Sequence, residues 1–288
     1  MKKEKGMHNH SLLIELEAVQ GLLSKVMSGA ESDRKVSTDT DLMIVDLRGE
    51  NEYREGHIPG ALNFPVSLLQ DPDSERGALP PLETLCERFT QLGIGNEAPL
   101  ILYDGSGLVP SAKMLWVLEW LGRGNVSILN GGFIAWSKAG LATETTIRTT
   151  TPQPFSAHPT ATALASKDQV LAALDQDDVV IVDARKADEF AGLLPTAARN
   201  GHIPGARNIN WESHIKDLFD PTLKPLETLR SLYHEQGVTP DKEVIVYCRS
   251  GARSSHSYFV LRLLGYERVR NYSGSWLEWG NDLDTPIE

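Results

Sequence analysis

In Glu243-Val244-Ile245-Val246-Tyr247-Cys248-Arg249-Ser250-Gly251-Ala252-Arg253-Ser254-Ser255, a short β-branched run meets a polar turn and then a helical pattern. Glu243 to Tyr247 predicts a buried strand. Beyond the turn, Tyr258, Leu261 and Leu264, with Phe259 and Val260 between them, predict a helix from Ser254 to Gly265. Cys248 therefore falls where a strand ends and a helix begins. N–H groups at a helix start lack intrahelical acceptors and carry partial positive charge. A tight loop there forms an anion cradle, and Arg249 and Arg253 add fixed charge. Such surroundings favour a thiolate over a thiol, so Cys248 is the expected nucleophile, prepared for an anionic substrate. Free cysteines are often buried and inert, but an inert core cysteine has no need of an Arg-Ser-Gly-Ala-Arg loop.

The same elements occur twice. Ile44-Val45-Asp46-Leu47-Arg48 returns as Ile181-Val182-Asp183-Ala184-Arg185, and Gly56-His57-Ile58-Pro59-Gly60-Ala61 as Gly201-His202-Ile203-Pro204-Gly205-Ala206. Leu100 to Gly107 returns as Val244 to Gly251. Leu121-Gly122, Val126, Gly131 and Trp136 return as Leu264-Gly265, Val269, Gly274 and Trp279. The offset widens between Arg185 and Gly201, where the second copy carries an insertion. A repeat this long means two tandem domains rather than a solenoid, which suits a chain of 288 residues. The expected boundaries are 11–142 for the first domain, 143–163 for a linker and 164–288 for the second. The linker is rich in Thr and contains Pro152, Pro154 and Pro159, so it reads as an extended crossing.

The repeated Asp-x-Arg after a strand, the repeated Gly-His-Ile-Pro-Gly-Ala turn and the strand–loop–helix around Cys248 resemble the rhodanese family of sulfurtransferases in its tandem form. Leu129-Asn130-Gly131-Gly132-Phe133-Ile134-Ala135-Trp136 adds to the likeness. The resemblance implies an α/β fold of two rhodanese-like domains, each a small, mostly parallel sheet flanked by helices. Short apolar strands alternating with helical patterns point the same way without it. At the position of Cys248 the first copy has Asp104, followed by Gly105-Ser106-Gly107 without an arginine. A carboxylate is no sulfur nucleophile and repels anions, so the first domain reads as catalytically silent. It would serve as a packing partner and as one wall of an interdomain cleft.

Composition narrows the partners. A net charge of −11 argues against nucleic acid. A local arginine cradle still suits an anion, because distant charge is screened within about 8–10 Å. No apolar stretch reaches membrane-spanning length. Ser11 to Met27 reads as an amphipathic helix rather than a signal peptide. Cys86 and Cys248 are too few for a disulfide framework, and Cys86 sits in a helical pattern as a packing residue. A cytoplasmic location is expected. Met7-His8-Asn9-His10 reads as a tail, not a metal site.

Arg253 follows Cys248 by five positions. Rhodanese-like phosphatases and protein tyrosine phosphatases use a Cys-x5-Arg loop, one residue longer, so the short loop resembles the sulfurtransferase form. The implied mechanism has two steps: Cys248 takes the outer sulfur of a donor as a persulfide, and cyanide, a thiol or thioredoxin removes it. Neither metal nor organic cofactor is required. Arg249, Ser250, Gly251, Ala252 and Arg253 are the expected loop contacts to substrate. Arg185 matches the family's substrate arginine, although Asp183 and Arg185 recur as Asp46 and Arg48, so part of their role is architectural. Arg199 corresponds to a second substrate arginine of the mercaptopyruvate branch. His57, His202 and the turns beside them read as structural, and His256 as a packed or surface histidine.

The thiosulfate branch commonly has Cys-Arg-Lys-Gly-Val-Thr, and the mercaptopyruvate branch Cys-Gly-Ser/Thr-Gly-Val. Cys-Arg-Ser-Gly-Ala-Arg follows neither. Arg249 and Arg253 favour thiosulfate as donor, while Ser250 and Arg199 favour 3-mercaptopyruvate, which stays the alternative. A persulfide carrier passing sulfur between proteins is a further alternative.

Overall fold

The computed structural model describes residues 11–29, 42–74 and 78–288; the His8–His10 run lies outside them. The first half forms β1 (Leu13–Ile14), α1 (Leu16–Gly29), β2 (Met43–Asp46), α2 (Glu50–Glu55), β3 (Leu62–Asn63), α3 (Leu82–Leu92), β4 (Leu100–Tyr103), α4 (Val109–Trp120), β5 (Val126–Leu129) and α5 (Gly132–Lys138). The second half forms β6 (Leu164–Ala165), α6 (Lys167–Ala173), β7 (Val179–Asp183), α7 (Ala187–Phe190), β8 (Arg207–Asn208), α8 (Leu226–His234), β9 (Glu243–Tyr247), α9 (Ala252–Leu263), β10 (Val269–Tyr272) and α10 (Ser275–Trp279). The start of the Ser11–Met27 segment departs from expectation. Leu13–Ile14 is a strand that pairs with Ile128 and Leu129, and the helix begins after it.

Both sheets have five parallel strands, ordered β1-β5-β4-β2-β3 and β6-β10-β9-β7-β8, so the duplication extends to topology. The chain leaves β7 for β8 on one side of the sheet and leaves β9 for β10 on the other. The loops after β7 and β9 diverge there, a switch point of the kind at which α/β sheets bind ligands. Asp183, the last residue of β7, is in register with Tyr247, the last of β9. The Arg185 and Cys248 loops therefore start side by side.

α4 and α9, the helices that follow the two corresponding loops, pack against each other across the domain boundary. Both are buried on nearly every side, from Ser111 to Leu118 and from Ser254 to Leu261, which marks them as central helices. One apolar cluster runs through both domains, joining Leu115 and Trp116 to Phe259 and Val260. A Cβ on Gly107 would come within 2.9 Å of the Trp211 ring, so the 105–107 loop has to be bare for the second domain to seat on it.

The connecting segment has no helix or strand of its own and is strapped to the first domain. Gln153 N–H donates to the Thr90 carbonyl, His158 N–H to Leu121 and Thr160 N–H to Trp120, while Phe155 is buried against Phe89. The helix around Cys86 is α3, where the thiol is half-buried against the core.

Candidate active site

Cys248 lies directly beyond β9 and is 1% exposed. Gly251, at φ 81°, turns the chain into α9; a Cβ there would meet the Ser273 carbonyl oxygen at 2.9 Å. Ser275 braces the loop. Its hydroxyl oxygen accepts from the N–H groups of Cys248 and Gly251, both at 3.1 Å, and it donates to the Tyr272 carbonyl at 2.7 Å. The N–H groups of Arg249, Ser250, Ala252, Arg253 and Ser254 find no acceptor among the described residues. Those five donors belong to the loop and first helical turn that follow a buried sulfur, at the start of a twelve-residue helix, a setting that favours negative charge. Ser254 Oγ lies 3.5 Å from Cys248 Sγ and 2.7 Å from Asn271 Oδ1.

The charged residues divide by environment. Arg249 is exposed and Ser250 half-buried at the rim. Arg253 forms a bidentate pair with Glu189, at 2.6 and 2.9 Å. Burial opposes the Arg253 charge, but Glu189 and the Cys248 sulfur hold its pKa above the usual arginine value. Burial likewise raises the Glu189 pKa, and the Arg253 hydrogen bonds outweigh it to leave that carboxyl low. The free loop charge expected of Arg253 is thus largely balanced by a residue from α7.

Arg185 is fully buried. Its Nε and Nη2 grip Asp183 at 2.7–3.0 Å, Nη2 also donates to the Gly201 carbonyl at 2.8 Å, and the guanidinium lies 4.5 Å over the Trp276 ring. Nη1 has no partner. In the first domain Arg48 makes the same contacts to Asp46 and to the Gly56 carbonyl. The grip is architectural in both copies, and Nη1 is the one guanidinium nitrogen of Arg185 left without a partner.

Arg199 is held elsewhere. It donates to the carbonyls of Trp279, Asp282 and Thr285 and to the Thr285 hydroxyl, so it fastens the C-terminal segment rather than lining the loop. The insertion that carries it folds back onto the end of the chain. His57 and His202 are turn residues, stacked on Tyr53 and Phe190 with Nδ1 at 2.7 and 2.9 Å from those residues' carbonyl oxygens. His256 is fully buried beside His214, with Nδ1 atoms 3.3 Å apart. Burial pushes the His256 pKa down to about 3, which keeps the ring neutral.

The first-domain loop is closed. One Asp104 carboxylate oxygen accepts the N–H groups of Ser106 and Leu108; the other accepts the N–H and hydroxyl of Ser111. The side chain fills its own anion cradle.

Ser275, Glu189 and Lys113 were missed in the sequence. Ser275 aligns with Gly132 in the repeat, and a Ser-for-Gly exchange beside the nucleophile was its signal. Lys113, a lone cation in the apolar Ala112-Lys113-Met114-Leu115-Trp116 stretch, is 3% exposed in α4. Glu189 gave no comparable signal, because its partner is distant in sequence.

Residues 30–139 and 166–282 each match the rhodanese-like domain. The chain belongs to the rhodanese family. It is 36% identical over 275 residues to a thiosulfate sulfurtransferase of Azotobacter vinelandii, covering 92% of this chain and 97% of that one. It is 34% identical to the sulfur carrier protein TtuD of Thermus thermophilus, covering 88% of this chain and 90% of that one. Among solved structures it resembles the anaerobic ergothioneine biosynthesis enzyme from Chlorobium limicola, with a TM-score of 0.82 at 26% identity over 96% of this chain and 70% of that one. This rhodanese is a sulfurtransferase enzyme. Among its described residues, no helix is long and apolar enough to cross a membrane.

Proposed function

We propose that the enzyme moves the outer sulfur of thiosulfate to a thiophilic acceptor through a persulfide on Cys248. The observation that carries this reading is the set of five unpaired N–H groups in the loop and first helical turn directly after the buried Cys248, at the head of α9. The Cys248 thiolate attacks the outer sulfur of thiosulfate. An S–S bond to Cys248 forms as the bond to the sulfonate sulfur breaks, and sulfite leaves with the bonding pair. The persulfide keeps one negative charge, which the same N–H groups stabilise in place of the thiolate. Cyanide then takes the terminal sulfur as thiocyanate, or a thiol such as that of thioredoxin takes it as a persulfide, and the Cys248 thiolate returns. This is covalent, ping-pong catalysis.

In this reading Arg249 draws the dianion to the rim, Arg253 supports the sulfur from its pair with Glu189, and Arg185 offers Nη1 to the sulfonate. Ser250, Gly251 and Ala252 shape the cradle. Residues 164–288 form the catalytic unit, 11–142 its silent partner and 143–163 the connection, in a cytoplasmic setting. The thiosulfate sulfurtransferase name of the Azotobacter relative and the exposed Arg249 favour thiosulfate over 3-mercaptopyruvate, and Arg199, held by backbone carbonyls, no longer weighs for the latter.

The test is steady-state sulfur transfer to cyanide from each donor, on wild type and Cys248→Ser. Higher kcat/KM with thiosulfate, lost in the serine variant, is the expected result. A preference for 3-mercaptopyruvate would overturn the donor assignment. Turnover of neither donor would leave a protein-to-protein sulfur carrier.

A further inference from the structure

Lys113 is the one cation in the long buried stretch of α4, and its ammonium has no hydrogen-bond partner. An ammonium taken out of water without a partner costs several kcal/mol, so its retention calls for an electrostatic reason. The packing of α4 against α9 supplies one. Near the far ends of the two helices, Glu119 of α4 accepts from the Tyr258 hydroxyl at 2.6 Å and pairs with Arg262 at 3.5 Å. Lys113 lies six residues earlier in α4, about 9 Å back along the axis at 1.5 Å per residue. At the other end, Gly107, just before α4, packs on Trp211, whose ring meets His256 of α9, so the two helices run in the same direction and Lys113 lies beside the N-terminal half of α9, which follows Cys248.

We propose that Lys113, supplied by the domain without a nucleophile, is the counter-cation of the Cys248 sulfur in both its thiolate and persulfide forms. The proposal rests on the persulfide reading given above. Burial pushes the Lys113 pKa down to about 8, and the Cys248 sulfur is the neighbouring charge that works against that fall. Among the other cations of the site, Arg253 is balanced by Glu189 and Arg185 by Asp183, while Arg249 is exposed at the rim. Those two pairs have no net charge, which leaves Lys113 as the buried cation without a carboxylate partner. The silent domain then contributes more than a wall: it completes the charge balance of the site.

The test follows Cys248 in the full chain by mass spectrometry of its peptide, which separates it from Cys86. Two quantities are read: the pH midpoint of iodoacetamide alkylation, and the rate of persulfide loading from thiosulfate. Lys113→Met is expected to move the midpoint up by about one pH unit and slow loading at neutral pH about tenfold. Its melting temperature should hold or rise, because a buried unpaired charge has been removed. Lys113→Arg should restore most of both quantities. Lys113→Gln keeps a polar tip and must shift the midpoint as Met does, which guards against a Met variant that folds poorly.

An unchanged midpoint in Met and Gln variants that load persulfide like wild type overturns the proposal and leaves the function standing. A shifted midpoint in a protein that thiosulfate never loads supports the counter-cation and overturns the donor reading instead.

Discussion

The Asp104 loop and the Cys248 loop have the same ancestry in the repeat, the same strand before them and the same kind of helix after them, yet they treat negative charge in opposite ways. In the first, a carboxylate is part of the chain and takes up four donors from Ser106, Leu108 and Ser111. In the second, a smaller side chain leaves five N–H groups unpaired, and Ser275 holds the loop open by accepting from Cys248 and Gly251. A cradle that could bind an anion by its backbone can be filled without changing the fold, by giving it a carboxyl group of its own. The helix beyond each loop was kept in both copies because the two helices are each other's core.

Making the second loop like the first should have the largest effect. Cys248→Asp is expected to lower sulfur transfer to cyanide at least about 1000-fold, since the nucleophile is gone, while calorimetry finds the melting temperature unchanged or raised because the free N–H groups gain an acceptor. A marked fall in melting temperature would mean that the two loops differ in backbone shape and not only in what fills them.

A finer test exchanges the brace. Ser275 sits at φ 51° and its counterpart Gly132 at φ 56°, a region that favours glycine. Ser275→Gly should relieve strain of about 1 kcal/mol and lose three hydrogen bonds of about 1 kcal/mol each. Stability is expected to fall by about 2 kcal/mol in urea titration, while kcat/KM falls about tenfold as the loop loosens. Full activity in that variant would show that Gly251 and the helix hold the loop unaided.

The smallest expected effect concerns acid. His256 has Ala112 as its counterpart, so acid sensitivity at this packing surface belongs to the second domain. Its pKa is near 3 in the folded protein against about 6.5 unfolded. Its contribution is therefore full above pH 6.5 and is lost progressively as pH falls toward 3. At pH 5 the loss is about 2 kcal/mol, and His214, driven in the same direction by burial and by His256, adds to it. Urea unfolding at pH 7 and pH 5 should show the drop, and His256→Gln should shrink it. An equal drop in the variant would assign the acid sensitivity to other groups.

Much of this was legible in the chain. Alternating β-branched runs and helical patterns identified parallel α/β domains, and the repeat identified two of them, because local propensity and periodicity are properties of short windows. The strand–cysteine–glycine turn–helix around the proposed nucleophile was legible for a similar reason: its parts are contiguous, so the loop is built from neighbours. Arg185 was recognisable as a structural pair because its partner Asp183 is two residues away.

The sequence reads Arg199 as a second substrate arginine and Arg253 as a loop charge, and here tertiary contacts intervene. Arg199 meets carbonyls from the far end of the chain, and Arg253 meets a carboxylate from α7. A charge in a sequence carries no record of its partner when that partner is brought near by folding. The same holds for Ser275, whose hydroxyl reaches back across the sheet, and for Lys113, which the packing of α4 on α9 carries from one domain to the other's nucleophile. Local chemistry named the fold and the sulfur proposed to react. The balance of charge around that sulfur arose only in three dimensions, because Coulomb energy depends on distance and burial, and neither is a function of position along the chain.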